Sequence, residues 1–238
     1  MEPVYYSVCA PVYNEQESLP ALLEKIQPIL AGMGKPWELI LTDDGSTDSS
    51  LSLMRELKTK NPFLRILQLN GHHGQTAAMA AGIRAARGEV IITIDADLQN
   101  DPNDIPKLVE KLADHDAVIG WRTNRQDNWF RRFSSRFANW FRNLVTNDRV
   151  HDTGCSLKAF RADFLKKIPL FEGMHRFFPA LILLENGKIA EVPVNHQPRT
   201  MGTSKYTAWN RVFRSFLDLL AFAWMRWRHL NYKVDHEY

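Results

Sequence analysis

Apolar positions in the first 120 residues fall into two alternating patterns. Short, nearly continuous apolar runs predict strands at Tyr6–Val12, Trp37–Thr42, Leu64–Leu69 and Val90–Ile94, with a fifth beginning over Ala117–Gly120. Between them the apolar period lengthens to that of helices. Ser18–Leu30 places Leu19, Leu22, Leu23, Ile26 and Ile29 on one face, with Ser18 as expected N-cap and Pro28 expected to shorten or kink the end. A second helix is expected from a cap at Ser46 or Thr47 to about Lys60, a third over Gln75–Ala86 before Gly88, and a fourth over Pro106–Leu112. Such alternation implies βαβ units with right-handed crossovers, hence an α/β fold with a mostly parallel sheet flanked by helices. Beyond 128 the pattern is mostly helical, with one further strand expected at Ile189–Val194.

Three acidic signatures follow three of these strands. They are Pro11-Val12-Tyr13-Asn14-Glu15, Asp43-Asp44-Gly45-Ser46-Thr47-Asp48, and Asp95-Ala96-Asp97-Leu98-Gln99. Ligands of open α/β sheets bind outside the carboxyl ends of the strands, so the three loops should converge. Asp95 and Asp97 are close enough to repel each other unless a cation lies between them. Asp97, Asp95 and the amide of Gln99 form an oxygen donor set suited to Mg²⁺ or Mn²⁺, completed by substrate phosphates and water. The bland alternative is a turn whose aspartates cap the helix after Pro102; the strand before it and the two companion loops weigh against that.

The 238 residues, 45% hydrophobic, suit one large domain, with or without a C-terminal appendage. The chain has no G-x-G-x-x-G after its first strand, no Walker A sequence and no zinc spacing of Cys or His. Dinucleotide dehydrogenases and P-loop NTPases are therefore disfavoured. Cys9 and Cys155 are expected to be free thiols in a reducing cytoplasm. The opening Met1-Glu2-Pro3-Val4 has no basic n-region or apolar h-region, so no signal peptide is expected. No apolar run is long enough to span a bilayer; Phe216 to Met225 is short and carries Asp218.

Net charge is +3, but arginines concentrate between 121 and 149 and cations recur from Arg199 onward. Trp129, Phe133, Phe137, Trp140 and Leu144 share one helical stripe. Trp209, Phe213, Phe216, Leu220, Trp224 and Trp227 form another, and arginines flank both. Aromatic and cationic residues together suit an anionic lipid headgroup surface. Packing on the core or on another subunit is the competing reading. His72-His73 is read as a loop element rather than a metal site.

In its ordered motifs the chain resembles a family 2 glycosyltransferase of GT-A fold, and within that family the polyprenyl-phosphate glycosyltransferases, the dolichyl-phosphate mannose synthase group. The matching residues are the three acidic signatures, Gly74-Gln75-x-x-Ala78 with Gly82 and Gly88, Gly120-x-Arg122, Asp152-x-Gly154 and Arg199-x-x-Gly202-x-Ser204-Lys205. They cover about Pro11 to Lys205. The resemblance implies a catalytic domain over 1–205, with a nucleotide-sugar half to about 122 and an acceptor half after it, then an amphipathic segment over 206–238. It implies that Pro11, Tyr13, Glu15, Asp44 and Ala96 bind the nucleotide sugar, with Arg199 and Lys205 closing over its diphosphate. Asp95, Asp97 and Gln99 would hold the metal, with Asp97, Asp95 and Arg122 catalytic. Arg122, Arg131 and Ser135 would hold the acceptor phosphate. The implied reaction is inverting transfer of a sugar from a UDP- or GDP-type donor to a polyprenyl phosphate at the inner face of the cell membrane. The expected partners are donor, lipid acceptor and anionic membrane, with a homo-oligomer or membrane-anchored partner compatible and no nucleic acid. The chain has no Glu-Asp base pair before its last helices; Asp152 and Glu172 stand isolated in sequence, which favours an acceptor already ionised. Two alternatives remain: transfer to a sugar or lipid hydroxyl with Asp152 as base, and a non-catalytic nucleotide- or lipid-binding module.

Overall fold

The computed structural model describes residues 3–123, 143, 145–169, 171–197 and 208–230. The described elements run in the order β1 (Tyr6–Val12), α1 (Leu19–Gly32), β2 (Trp37–Asp43), α2 (Ser50–Lys60), β3 (Leu64–Gln68), α3 (Gln75–Ala85) and β4 (Val90–Thr93). They continue with α4 (Ile105–Lys111), β5 (Ala117–Arg122), β6 (Lys158–Arg161), the single turn α5 (Ala162–Leu165), α6 (Phe178–Leu184), β7 (Ile189–Val194) and α7 (Ala208–Arg228).

Seven strands form one sheet in the order β3-β2-β1-β4-β6-β5-β7. β1 pairs in parallel with β2 and β4, and β2 with β3, as the alternating pattern predicts. Alternate residues on these strands serve opposite faces. Val8, Ala10 and Val12 of β1, with Leu39, Leu41 and Ile92, pack against Leu19, Leu22, Leu23, Ile26 and Leu30 of α1. Cys9, Ile40 and Ile91 face the other way, toward Met79 and Ile83 of α3 and Leu181 and Ile182 of α6. Both faces are covered, which is why these strands read as continuous apolar runs.

β6 is the element the hydrophobic pattern did not announce. It runs antiparallel between β4 and β5. Its four residues, Lys158-Ala159-Phe160-Arg161, are too short for periodicity to register, and a charge stands at each end. Three local expectations are also corrected. Helix α1 continues through Pro28 to Gly32, because Pro28 lies on the exposed side where water can satisfy the carbonyl it leaves free. The Ser18 hydroxyl makes no N-cap bond and instead donates to Glu15. Helix α2 starts at Ser50 rather than near Ser46, because residues 46–48 are recruited by Asn14.

Candidate active site

The parallel registers decide where the site lies. Val12 pairs with Asp43, and Cys9 with Thr93, so β1, β2 and β4 release their chains at neighbouring points along one edge. The loops are then laced together. Asn14 Oδ1 accepts the Thr47 N–H at 2.7 Å, the Asn14 N–H donates to Ser46 Oγ at 3.0 Å, and the Glu15 N–H to Ser50 Oγ at 2.8 Å. Asn14 holds φ of 54°, in the left-handed region that asparagine tolerates better than most residues.

A cleft of about 840 Å³ opens above this edge. Pro11, Tyr13, Glu15, Asp44, Asp95, Ala96, Asp97, Gln99 and Arg122, nine of the residues singled out from sequence, all line it. Arg131, Ser135, Arg199 and Lys205 lie outside the described residues, as does the stripe beginning at Trp129.

The Asp44 carboxylate is buried and accepts the N–H groups of His73 at 2.8 Å and Gly74 at 2.9 Å. His72 Nδ1 lies 2.9 Å from the same carboxylate, and its ring stacks on Tyr13 at 4.0 Å. Asp44 thus anchors the loop before α3, and that loop presents a paired aromatic surface to the cleft. The histidine pair belongs to a loop, as the sequence suggested.

Asp95 accepts the Gln75 side-chain amide at 2.8 Å. Burial first, and then the charge of Asp97, push its carboxyl above the usual carboxylate range, against the hydrogen bonds of Ser156 and Gln75 and the charge of Lys158. Asp97 is buried and its Oδ1 accepts the Gln99 N–H at 3.1 Å. Leu98 between them takes φ of 61°, a left-handed turn that a branched side chain enters only under tertiary constraint. Among the described residues no three His, Cys, Asp or Glu side chains form a metal cage.

Cations line the same cleft. Arg122 makes a two-pronged pair with Asp152, Nε to Oδ2 at 2.6 Å and Nη2 to Oδ1 at 2.8 Å. Gly154 makes room for it: a Cβ there would fall 2.9 Å from Arg122 Nη2. Asp152 is therefore not isolated, as its sequence position suggested, but is the counter-ion of Arg122. Lys158, His175 and Arg176 also line the cleft. Sequence reasoning passed over all three. Lys158 left one cue, a lone lysine inside the Leu157–Phe160 run that folds to a buried strand. Burial pushes its ammonium below the ordinary lysine range, and Nζ donates to the carbonyls of Cys155 and His175.

Residues 7–169 match the family described as Glycosyl transferase family 2. The chain belongs to that family. It is 43% identical over 221 residues to dodecaprenyl-phosphate galacturonate synthase of Rhizobium johnstonii, covering 90% of this chain and 65% of the relative. It is 42% identical over 204 residues to undecaprenyl-phosphate 4-deoxy-4-formamido-L-arabinose transferase of Pectobacterium carotovorum, covering 84% of this chain and 62% of the relative. The chain thus spans just under two thirds of the length of each. Among solved structures, glucosyl-3-phosphoglycerate synthase from Mycobacterium tuberculosis, in complex with Mn²⁺, uridine diphosphate and phosphoglyceric acid, superposes with a TM-score of 0.67 at 18% identity. That match covers 94% of this chain and 78% of the other, and shows the shared GT-A-type fold.

Proposed function

We propose that this glycosyltransferase moves a sugar from a nucleoside diphosphate to a polyprenyl phosphate at a membrane surface. One observation carries the reading: a single cleft gathers the Asp95–Asp97 carboxylate pair and the cations Arg122, Lys158 and Arg176, in a chain over 40% identical to two polyprenyl-phosphate sugar transferases. The residues before 122 would serve the donor and those after it the acceptor.

The carboxylate pair fits a divalent cation. Asp95 is held at a cost beside Asp97, and the Gln99 amide is at hand, a set of oxygen donors that Mg²⁺ or Mn²⁺ accepts. Such a cation, when bound, would offset the charge of the departing diphosphate. The donor set is too small for a dedicated cage, which suits an ion that shares its coordination with substrate phosphates. Tyr13 and His72 would flank the nucleoside, and Pro11, Glu15 and Ala96 would border it. Arg199 and Lys205 would close on the diphosphate, and Arg131 and Ser135 would join the acceptor site.

The pairing of Asp152 favours a phosphate acceptor over a hydroxyl. A general base needs an oxygen free to take a proton, and both oxygens of Asp152 are engaged by Arg122. A phosphate monoester, with its second pKa near about 6, is largely ionised at neutral pH and attacks without a strong base. No helix among the described residues is long and apolar enough to cross a membrane. Helix α7 instead turns Phe216, Leu217, Leu220, Trp224 and Trp227 outward while Leu219 and Phe222 enter the core. An outward apolar face beside Arg226 and Arg228 suits peripheral seating at a lipid headgroup layer, the cytoplasmic leaflet being the anionic one.

The decisive experiment supplies UDP- and GDP-sugars with geranyl phosphate as a short acceptor, with and without Mn²⁺. Sugar transfer to the phosphate that stops in excess chelator supports the reading. Transfer only to sugar or lipid hydroxyls, or nucleotide binding with no turnover of any donor, overturns it.

A further inference from the structure

Residues 73–76 are fixed at both ends. Before α3, the His73 and Gly74 N–H groups donate to the Asp44 carboxylate at 2.8 and 2.9 Å. Gly74 takes φ of 90°, a value that side chains resist. Just inside the helix, the Thr76 hydroxyl accepts the Gly173 N–H at 3.1 Å and lies 2.9 Å from His175 Nδ1, which ties it to the 173–176 turn. Helix α3 also lies close on the sheet: a Cβ at Gly82 would fall 3.3 Å from Thr42 Oγ1 and 3.4 Å from Cys9 Cβ. Gln75 stands between these anchors and lines the cleft.

The two carboxylates of the Asp95–Asp97 pair are oriented from different places. Asp97 Oδ1 accepts the N–H of Gln99, two residues along its own loop. Asp95 Oδ1 accepts the side-chain amide of Gln75, 20 positions earlier and on another element, at 2.8 Å. The Ser156 hydroxyl is a second neutral donor to Asp95, and is itself held by Asn100 Nδ2 at 2.6 Å. Lys158 acts on Asp95 through its charge, while its Nζ donates to the carbonyls of Cys155 and His175. An amide gives the carboxylate a direction and leaves its negative charge in place, whereas a cationic donor would cancel that charge. Partners of this kind, one step behind a metal ligand, orient it and set its affinity for the ion.

We propose that Gln75 is a positioning residue for the divalent cation, acting through Asp95. The inference deepens the proposed function and rests on its metal-assisted reading. The segment 73–75 then grips two carboxylates of the donor site at once. One is Asp95; the other is Asp44, which holds His72 against Tyr13 at the proposed nucleoside site. A single short segment would thus set the nucleoside end of the site against its diphosphate end.

The test reads Mn²⁺ binding by electron paramagnetic resonance in the presence of UDP, and UDP binding by calorimetric titration with Mn²⁺ or with excess chelator. Gln75→Met keeps the length of the side chain without its amide. Gln75→Asn keeps an amide but stops one methylene short of Asp95. Each should weaken Mn²⁺ by about 10- to 100-fold, the usual cost of losing a partner behind a metal ligand. UDP affinity should fall in step when Mn²⁺ is present and hold in chelator, a split that a merely structural role would not give. In an Asp95→Asn background, Gln75→Met should add nothing further. Wild-type Mn²⁺ affinity in both variants overturns the inference and leaves the proposed function standing. A loss of UDP that persists equally in chelator assigns Gln75 to the nucleoside site or to the frame, and also overturns it. Additive losses in the double variant show that Gln75 does not act through Asp95, with the same result. Wild-type protein that binds UDP but never Mn²⁺ overturns the metal-assisted reading, and this inference with it.

Discussion

Replacing Asp152 by asparagine separates a charge clamp from a catalytic base. In the native site its two oxygens receive Arg122 Nε at 2.6 Å and Nη2 at 2.8 Å, and Oδ1 also accepts the Gly154 N–H at 3.1 Å. The Arg122 and Asp152 side chains are 17% and 7% exposed, so water screens the pair weakly. Asparagine keeps one acceptor, turns an N–H toward a guanidinium donor and leaves the arginine charge without its counter-ion. Breaking a buried pair in this way costs about 3–5 kcal/mol, and the retained acceptor places Asp152→Asn near the lower end. For a chain of this size about 3 kcal/mol lowers Tm by roughly 6–12 °C. Differential scanning calorimetry of Asp152→Asn, Arg122→Gln and the double variant tests the coupling. The double variant should melt no lower than the worse single one, since the second substitution removes a charge already orphaned. Turnover at a temperature where all are folded should fall in Asp152→Asn through misplacement of Arg122, on the order of 100-fold. An unchanged Tm together with abolished turnover would refute the clamp and restore Asp152 as a base.

Asp97→Asn should abolish sugar transfer and weaken UDP binding only when Mg²⁺ or Mn²⁺ is present; equal loss in chelator, read by calorimetric titration, would contradict a metal role. Replacing Trp224 and Trp227 by serine should release the protein from anionic vesicles in a flotation assay and leave transfer to geranyl phosphate intact, because both side chains are exposed, at 62% and 78%, on the face of α7 turned from the core. Burial pushes the thiols of Cys9 and Cys155 up to about 12 and about 11, so neither should react with iodoacetamide at pH 8 until denaturant is added, as followed by mass spectrometry. Burial alone would raise the pKa of Glu38, but hydrogen bonds from Ser7, Arg65 and the Arg87 N–H outweigh it and hold the carboxyl below the usual range. Its contribution to stability is therefore present above the unfolded value, about 4.3, and lost as pH falls through the folded one. The Tm advantage of wild type over Glu38→Gln should accordingly shrink as pH falls below about 4.

The acidic loops, the parallel pairing of β1 to β4 and the Asp95–Asp97 carboxylate pair were legible along the chain because each is local. A buried parallel strand writes itself as an apolar run, and a strand-end loop stands directly after it. The ladder Val12–Asp43 then brings together loops that were already visible one by one. What the sequence did not contain was the partner of each charge. Asp152 looked isolated because the residue that claims it is 30 positions away and reaches it only once the end of β5 packs against the 152–156 loop. Lys158 looked like an ordinary lysine because a four-residue antiparallel strand has no period to read. Asp218 looked like an interruption in an apolar helix, and its contact with Gly173 and Arg176 exists only because α7 folds back onto the 173–176 turn. Hydrophobic periodicity is set by neighbours in the chain, so one strand or helix suffices to display it. Charge pairing is set by neighbours in space, and only the packed sheet, turn and C-terminal helix decided which acceptor each cation of the cleft would meet.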